Sequence, residues 1–441
     1  MKKLITAGLA LATATVSWAA DTDLEQQLKD QQLQLNKLAE EIRQLRSTNT
    51  STSAETKAKD WRFVSYGSML YKRSERFDNV QDTDPTQRAK ADIERIVTEF
   101  SYRPAEHWAV EVEIEYEHGG TGSTMEYDGF EEFGEFETET EAGGEVVIEK
   151  AQFEYEPSDS FGIKFGRIHI PLGLGTTKHA PFSYFTAERH WSEAMLIPQV
   201  WHETGINFNG SLGDFHYQAL LTTGLNSEYF RTTDWVAGGH QTRFEFVNAD
   251  SLATTLELSY GNLKKDQGIA LAWYQGDTSD NRHKEDKISE SGNVSIISVK
   301  GAATVGDLVV RGEYITGSLD DSAAIANANK NTAGLDAGSF TQVGSEAEAM
   351  FIEAGYNISP LLGLQQKIQP FIAWEHANPL KDVESSSASK RYDQTETSIG
   401  INYYPVEKIV LKTQFSNMTT AQSNIPDTSS FSLSAGYLFA L

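Results

Sequence analysis

From Trp61 to its C-terminal end the chain alternates apolar and polar residues with a period of two. Trp108, Val110, Val112, Ile114 and Tyr116 alternate with Ala109, Glu111, Glu113, Glu115 and Glu117, which predicts a strand with one apolar face and one almost wholly anionic face. The last such segment sets Phe431, Leu433, Ala435, Tyr437, Phe439 and Leu441 against Ser432, Ser434, Gly436 and Leu438. Similar segments start near Phe161, Thr204, Phe215, Leu252, Ile269, Leu308, Ile399 and Ile409. Stretches of about ten residues with this dyad pattern, separated in turn by tight turns and long polar loops, mark a transmembrane β-barrel. A closed barrel is also the one strand architecture that pairs every backbone N–H and C=O within hydrocarbon. A soluble β-sandwich is the competing architecture, but its outward faces would be polar, and the aromatic-studded segments are too many for two packed sheets.

Connection lengths allow the strands to be counted, because turns are short at the periplasmic end and loops long at the extracellular end. Short turns are expected near 103–106, 156–160, 210–214, 262–267, 304–307, 357–366 and 404–407. Eight long connections lie near 72–90, 119–145, 170–202, 225–251, 277–293, 318–345, 377–394 and 418–429. Gln241 to Val247 could be a further strand, but it would make the total odd, so it is assigned to the fourth loop. The expectation is an all-β, sixteen-stranded antiparallel outer-membrane barrel with both termini periplasmic, wide enough for an aqueous lumen.

Ahead of the barrel the period changes. Lys2 and Lys3, the apolar stretch Leu4 to Val16 and then Ser17-Trp18-Ala19 have the layout of a signal peptide, assigned to residues 1–19. Such a run is too short to span a bilayer as a helix, for which roughly 18 apolar residues are needed. Residues 20–46 place Leu24, Leu28, Leu35, Leu38, Ile42 and Leu45 on the a and d positions of one heptad frame, interrupted only by Gln31. That seam predicts a periplasmic coiled-coil oligomerisation helix, with a lone amphipathic helix as the other possibility. Residues 47–60, rich in Ser, Thr, Ala and charge, read as a flexible linker, and 61–441 form the barrel domain.

Composition narrows the function classes. The formal net charge of −26 argues against nucleic acid, which needs clustered Lys and Arg to displace counterions. The absence of cysteine excludes disulfides and thiolate metal sites, in keeping with an oxidising compartment.

Several segments resemble the phosphate-selective porin O and P family: Ala151-Gln152-Phe153-Glu154-Tyr155, then Lys164-Phe165-Gly166-Arg167 and Ile170-Pro171-Leu172-Gly173, with Gly400-Ile401-Asn402-Tyr403-Tyr404-Pro405 similar to the family's penultimate hairpin. The resemblance runs from about Trp61 to the end, and the coiled-coil leader is also typical of relatives. It implies a sixteen-stranded, usually homotrimeric barrel whose third loop folds inward to narrow a pore for small hydrophilic solutes and ions, phosphate or other anions among them. Outer-membrane lipid and lipopolysaccharide would be its surroundings.

The residues pull the other way on charge. With the apolar phase of each strand facing lipid, the lumen wall receives Glu111, Glu113, Glu115 and Glu117 against Arg95, Lys164 and Arg311. Cationic candidates for the constriction are Arg167, Lys178, His179, Arg189 and His190. Facing an acidic wall, they would set a transverse field across the pore, or else pair with the wall glutamates and hold the loop in place. The second loop carries Glu126, Asp128, Glu131, Glu132, Glu135, Glu137, Glu139, Glu141 and Glu145 with no base. It is either a solvated surface or a place for divalent cations bridging to lipopolysaccharide, and its spacing matches no EF-hand.

No catalytic motif stands out. Residues 173–178 share only composition with a phosphate loop, His202-Glu203 lacks a second histidine at zincin spacing, and no Gly-x-Ser-x-Gly elbow occurs. The expectation is a channel without enzymatic activity or cofactor. A structural protein tethering the cell wall through its coiled coil, and a barrel lipid hydrolase, are the other classes. Deleting Asp21 to Arg46 is expected to weaken the oligomer, seen as a shift to smaller species on native gels, without loss of the heat-modifiable barrel.

Overall fold

A computed structural model of the chain describes residues 61–77, 84–118, 123–127, 138–142, 145–241, 247–282, 288–330, 342–384 and 387–441. The expected signal peptide, the heptad segment with its six apolar positions and the expected linker lie outside the described residues. The barrel begins with β1 (Trp61–Arg76), β2 (Thr86–Ala105) and β3 (Trp108–Glu117). A small hairpin, β4 (Ser123–Tyr127) with β5 (Thr138–Ala142), stands apart from the wall. The wall resumes with β6 (Glu145–Ser158), β7 (Phe161–His169), β8 (His202–Leu212), β9 (Phe215–Thr223), β10 (Leu252–Asn262), β11 (Gln267–Asp277) and β12 (Asn293–Val305). It ends with β13 (Leu308–Leu319), β14 (Glu346–Tyr356), β15 (Lys367–Asp382), β16 (Gln394–Val406), β17 (Ile409–Thr420) and β18 (Thr428–Ala440). Each strand pairs antiparallel with its neighbour, and β1 closes on β18 from Val64 opposite Ala440 to Ser74 opposite Ser430, giving sixteen wall strands without an edge. Among the described residues no helix is long and apolar enough to cross a membrane.

The alternation sorts the side chains as the strand pleat requires. Phe153, Phe165, Ile206, Phe208, Leu258, Ile372, Phe415 and Leu433 are exposed on the outer face. Near the short turns the outer face carries Tyr102, Trp108, Phe161, Phe215, Tyr260, Tyr356 and Tyr403, a girdle of the kind that sits at a membrane interface.

The chain departs from simple alternation in a few places. Residues 72–90 were expected to be loop, yet β1 and β2 stay paired from Lys72 opposite Lys90 to Arg76 opposite Thr86. A strand that rises past the hydrocarbon keeps its hydrogen bonds while losing any need for an apolar face, so periodicity stops before pairing does. The same reasoning explains why β15 runs to Asp382 although a loop was expected from 377. In the second loop, where the sequence reading placed no strand, β4 and β5 pair from Ser123 opposite Ala142 to Tyr127 opposite Thr138. A bulge in β6 pairs Glu113 with Lys150 and Ile114 with Ile148, so that Glu149 and Lys150 both turn inward.

The largest apolar cluster lies inside the barrel. Ile168, Leu172, Leu196 and Trp201 pack with Leu225, Phe230 and Trp235 of the fourth loop and Ile325 of the sixth. The sixth-loop helix Ser322–Asn329 contributes Ile325 and Ala326 to it. This cluster fixes where the third loop enters the lumen.

At the closing seam Phe439 is exposed on the outer face and tilts against Phe63 at 5.8 Å. Replacing Phe439 with Asp puts a carboxylate on the lipid side next to the last seam, and it is expected to block membrane insertion. The check is the yield of heat-modifiable barrel in membrane fractions.

Candidate functional site

The third connection, residues 170–201, turns inward, and two single-turn helices, Leu174–Thr177 and Trp191–Ala194, shape it. A loop in this position has main-chain groups with no strand to pair with, and wall side chains take that role. Lys300 Nζ, on β12, donates to the carbonyls of Pro171 (2.9 Å) and Gly173 (3.1 Å). Glu313 on β13 accepts from Leu174 N–H at 2.8 Å, and Glu353 on β14 accepts from Phe185 N–H at 2.8 Å. Glu375 on β15 takes both the N–H and the hydroxyl of Ser192, at 3.1 and 3.0 Å. Lys412 on β17 donates to the carbonyls of Tyr184 (3.0 Å) and Thr186 (2.8 Å), and Arg95 on β2 donates to the carbonyl of His179.

Small wall residues let the loop come close. At Gly355 a Cβ would stand 2.8 Å from the Phe185 ring, so only glycine leaves room for that ring on β14. Gly173 has φ of 84°, a left-handed conformation that glycine adopts without strain.

The cations expected in the loop are brought to the wall one by one. Lys178 meets Asp266 at 2.5 Å, Arg189 meets Glu117 at 3.2 Å, and His179 Nε2 lies 3.6 Å from Glu113. His190 sits between Glu375 (3.1 Å) and Glu353 (3.5 Å), stacked on Phe351 at 3.7 Å between centroids. Burial alone would lower the His190 imidazolium, but Glu375 and Glu353 outweigh it and hold the group at about 10. Burial, reinforced by Glu313, pushes the Glu193 carboxyl well above the usual range and favours its neutral form. Arg167 is corrected: it belongs to β7, not to the loop, and its guanidinium donates to the Ile148 carbonyl at 3.1 Å. The long loop starts three residues later, beyond the last paired position of the strand.

The expected wall residues form ion pairs along β2, β3, β6 and β7. Arg95 pairs with Glu115 at 2.6 Å, Lys164 with Glu154 at 2.8 Å, and Lys150 with Glu99, Glu111 and Glu113 at 3.2, 3.1 and 3.2 Å. Arg311 binds Asp266 through two nitrogens (2.6 and 2.9 Å) and Glu353 through a third (2.7 Å). Lys300 was missed by the sequence reading, although Ile297 and Val299 on the outer face put it on the inner phase; it also pairs with Glu257 at 2.8 Å. Asp266 was missed because it belongs to a short turn, and no pattern signals that the turn reaches Lys178. Glu149 was missed because strict alternation has no place for it, but Ile148 and Phe153, both facing out five residues apart, required a bulge between them.

Beneath the loop, on the side of the short turns, lies a polar cavity of about 1190 Å³ lined in part by Arg62, Glu99, Lys150, Lys164, Thr176 and Lys264. Ser211 and His216 also line it, with Ser211 Oγ 2.6 Å from His216 Nδ1. His216 Nε2 meets the Gly261 carbonyl at 3.1 Å, so a backbone oxygen stands where a hydrolase would put a carboxylate.

No family model matches the chain. It is 25% identical over 357 residues to an uncharacterized protein of Aquifex aeolicus (strain VF5), an alignment covering 76% of this chain and 72% of that one. Among solved structures, the outer membrane channel DcaP of Acinetobacter baumannii matches with a TM-score of 0.52 at 14% identity, over 86% of this chain and 97% of that one. Salmonella typhi OmpF, solved as a complex with daunomycin, matches with a TM-score of 0.50 at 10% identity, over 86% and 97%. The fold is that of the outer-membrane porins. In this barrel the third loop is the element that occupies the lumen, and its attachment is the property to test.

Two outcomes follow from the ion pairs. Glu353→Ala strips one partner each from Arg311 and His190, which keep Asp266 and Glu375, and leaves the buried Phe185 N–H unpaired, which weakens loop docking by about 1–3 kcal/mol. Trypsin is then expected to cut after Lys178 or Arg189 faster than in the wild type. His190, raised from an ordinary 6.5 to about 10, stabilises the docked loop fully below pH 6.5 and loses that contribution as pH climbs through 10. Subtilisin cleavage within the loop is expected to accelerate over that window, and not in His190→Gln.

Proposed function

We propose that the protein is an outer-membrane porin, a water-filled channel for passive diffusion of small hydrophilic solutes and ions, and not an enzyme. The observation that carries this reading is the charged inner wall of a sixteen-stranded barrel, with a polar cavity of about 1190 Å³ under an inward-folded loop. A barrel of this strand number is wide enough to hold water, whereas small barrels are filled by side chains. The reading places the short turns and both termini in the periplasm, the long loops outside among lipopolysaccharide, and three copies in the membrane.

Selectivity is read from which charges remain uncompensated. Lys178, Arg189, His190 and Arg311 each face a carboxylate, which leaves little for an anion such as phosphate. Glu203, Glu313 and Glu396 instead meet hydroxyl, indole or backbone N–H groups. Lys412 and Arg167, which hydrogen-bond backbone carbonyls, offset two of these, so the acidic excess is small. Charges farther than roughly 8 to 10 Å from the narrowest section are screened at physiological salt. The channel is therefore a weakly selective one with a slight preference for cations, in contrast to the phosphate selectivity that the family resemblance implies. Among the described residues the hydrolase alternative has the Ser211–His216 contact, whose second ring nitrogen meets a backbone carbonyl and not an acid, and which ties two neighbouring strands across a turn.

Purified protein in planar bilayers under a salt gradient tests both parts. Stepwise conductance with a small cation-side reversal potential is expected, unchanged in Ser211→Ala. A silent barrel overturns the channel, and a strong anion preference abolished by changing Lys178 and Arg189 to Glu overturns the selectivity.

A further inference from the structure

One cluster on the wall keeps buried atoms without a hydrogen-bond partner after loop anchoring and charge pairing. Glu113 on β3, Glu149 at the β6 bulge and His169 at the end of β7 bring one ligand atom each within 4.8 Å of one another. Glu113 Oε2 is 3.9 Å from His169 Nε2, and Glu113 Oε1 is 3.6 Å from Nε2 of His179 in the third loop. These separations are too long for hydrogen bonds. Glu113 Oε2, Glu149 Oε2 and His169 Nε2 are all enclosed without a hydrogen-bond partner, and Glu113 and Glu149 are each 1% exposed. Buried acceptors left this way are costly, the more so when charged.

The nearby bases do not resolve this. Lys150, 3.2 Å from Glu113 Oε2, is shared with Glu99 and Glu111, and Arg95 is held by Glu115. The hydrogen bonding of His179 adds an independent sign. Its Nδ1 lies 2.9 Å from the Thr176 carbonyl, which can only accept, so Nδ1 carries the proton. Nε2 faces the Glu113 carboxylate across 3.6 Å, beyond hydrogen-bond reach and on the side of the ring away from the Thr176 carbonyl. A backbone carbonyl on the far ring nitrogen is how proteins orient a metal-bound histidine.

We infer that Glu113, Glu149, His169 and His179 form a binding site for a first-row divalent transition metal, zinc being the best fit, that clips the third loop to the wall. Two imidazoles with two carboxylates suit zinc, while calcium and magnesium take oxygen ligands. Zinc bonds of about 2.0–2.2 Å put tetrahedral neighbours roughly 3.3 Å apart. The Glu113, Glu149 and His169 atoms, within 4.8 Å of one another, therefore close on an ion by side-chain rotation, with His179 coming from the Glu113 side. His169 also lines the polar cavity, which supplies a route for the ion.

Isothermal titration of the full-length, detergent-purified barrel with zinc chloride is the test, and it needs no conductance, so a silent barrel leaves it intact. One zinc per chain is expected, weakened roughly tenfold or more in Glu149→Gln and His169→Gln, and unchanged in His107→Ala at a turn. Heat modifiability on gels reports that each variant is folded. If a variant does not assemble, cobalt bound to the wild type decides: intense visible bands of a four-coordinate nitrogen and oxygen site support the proposal, and the weak spectrum of hydrated cobalt overturns it. Wild type that binds no zinc, or variants that bind it as wild type does, also overturn it.

Discussion

A loop carried into the middle of a barrel brings backbone N–H and C=O groups that no strand can pair, and this constraint organises the protein. Wall side chains meet it. Lys300 and Lys412 each cap two carbonyls, Glu313, Glu353 and Glu375 each take a loop N–H, and Arg95 reaches the carbonyl of His179. These residues come from β2, from β12 to β15 and from β17, the arc of wall across from the loop's origin between β7 and β8, so the loop is held by many strands. Replacing one partner exposes a buried charge as well as a backbone group, which makes the network strongly coupled.

The same network governs the electrostatics of the lumen. Buried charges must be paired, and here loop cations and wall carboxylates pair with one another instead of lining a path with opposed rows. Lys178 and Arg311 converge on Asp266, whose own position in a turn carries the anchor to the short-turn end. Glu203, Glu313 and Glu396 meet hydroxyl, indole or N–H groups. Free cationic charge is scarce for that reason, despite a loop sequence rich in bases.

Packing supports the network from the other side. Ile168, Leu172 and Trp201 join residues of the fourth and sixth loops in one apolar cluster, so the loop's entry and exit are fixed before its polar tip reaches across. Gly355 gives Phe185 a seat on the wall, and Arg311 lies over the same ring at 4.2 Å. Burial of this ring and ion pairing at Glu353 therefore depend on one another.

The sequence alone determined the strand number, the outward faces and the inward row Glu111 to Glu117, because a strand with lipid on one side and water on the other writes its pleat into every second residue. It also marked 170–202 as the connection with unusual charge. It misplaced strand ends such as Arg76 and Asp382, where the pleat continues above the hydrocarbon without an apolar face to announce it. It assigned Arg167 to the loop, because its charge and not its pairing was legible. Only the tertiary structure decided that Lys178 reaches Asp266, that His190 lies between Glu353 and Glu375, and that the bulge at Glu149 turns an extra carboxylate toward His169. Those contacts join residues far apart in the chain, and their geometry depends on barrel closure and on a bulge, neither of which has a local period.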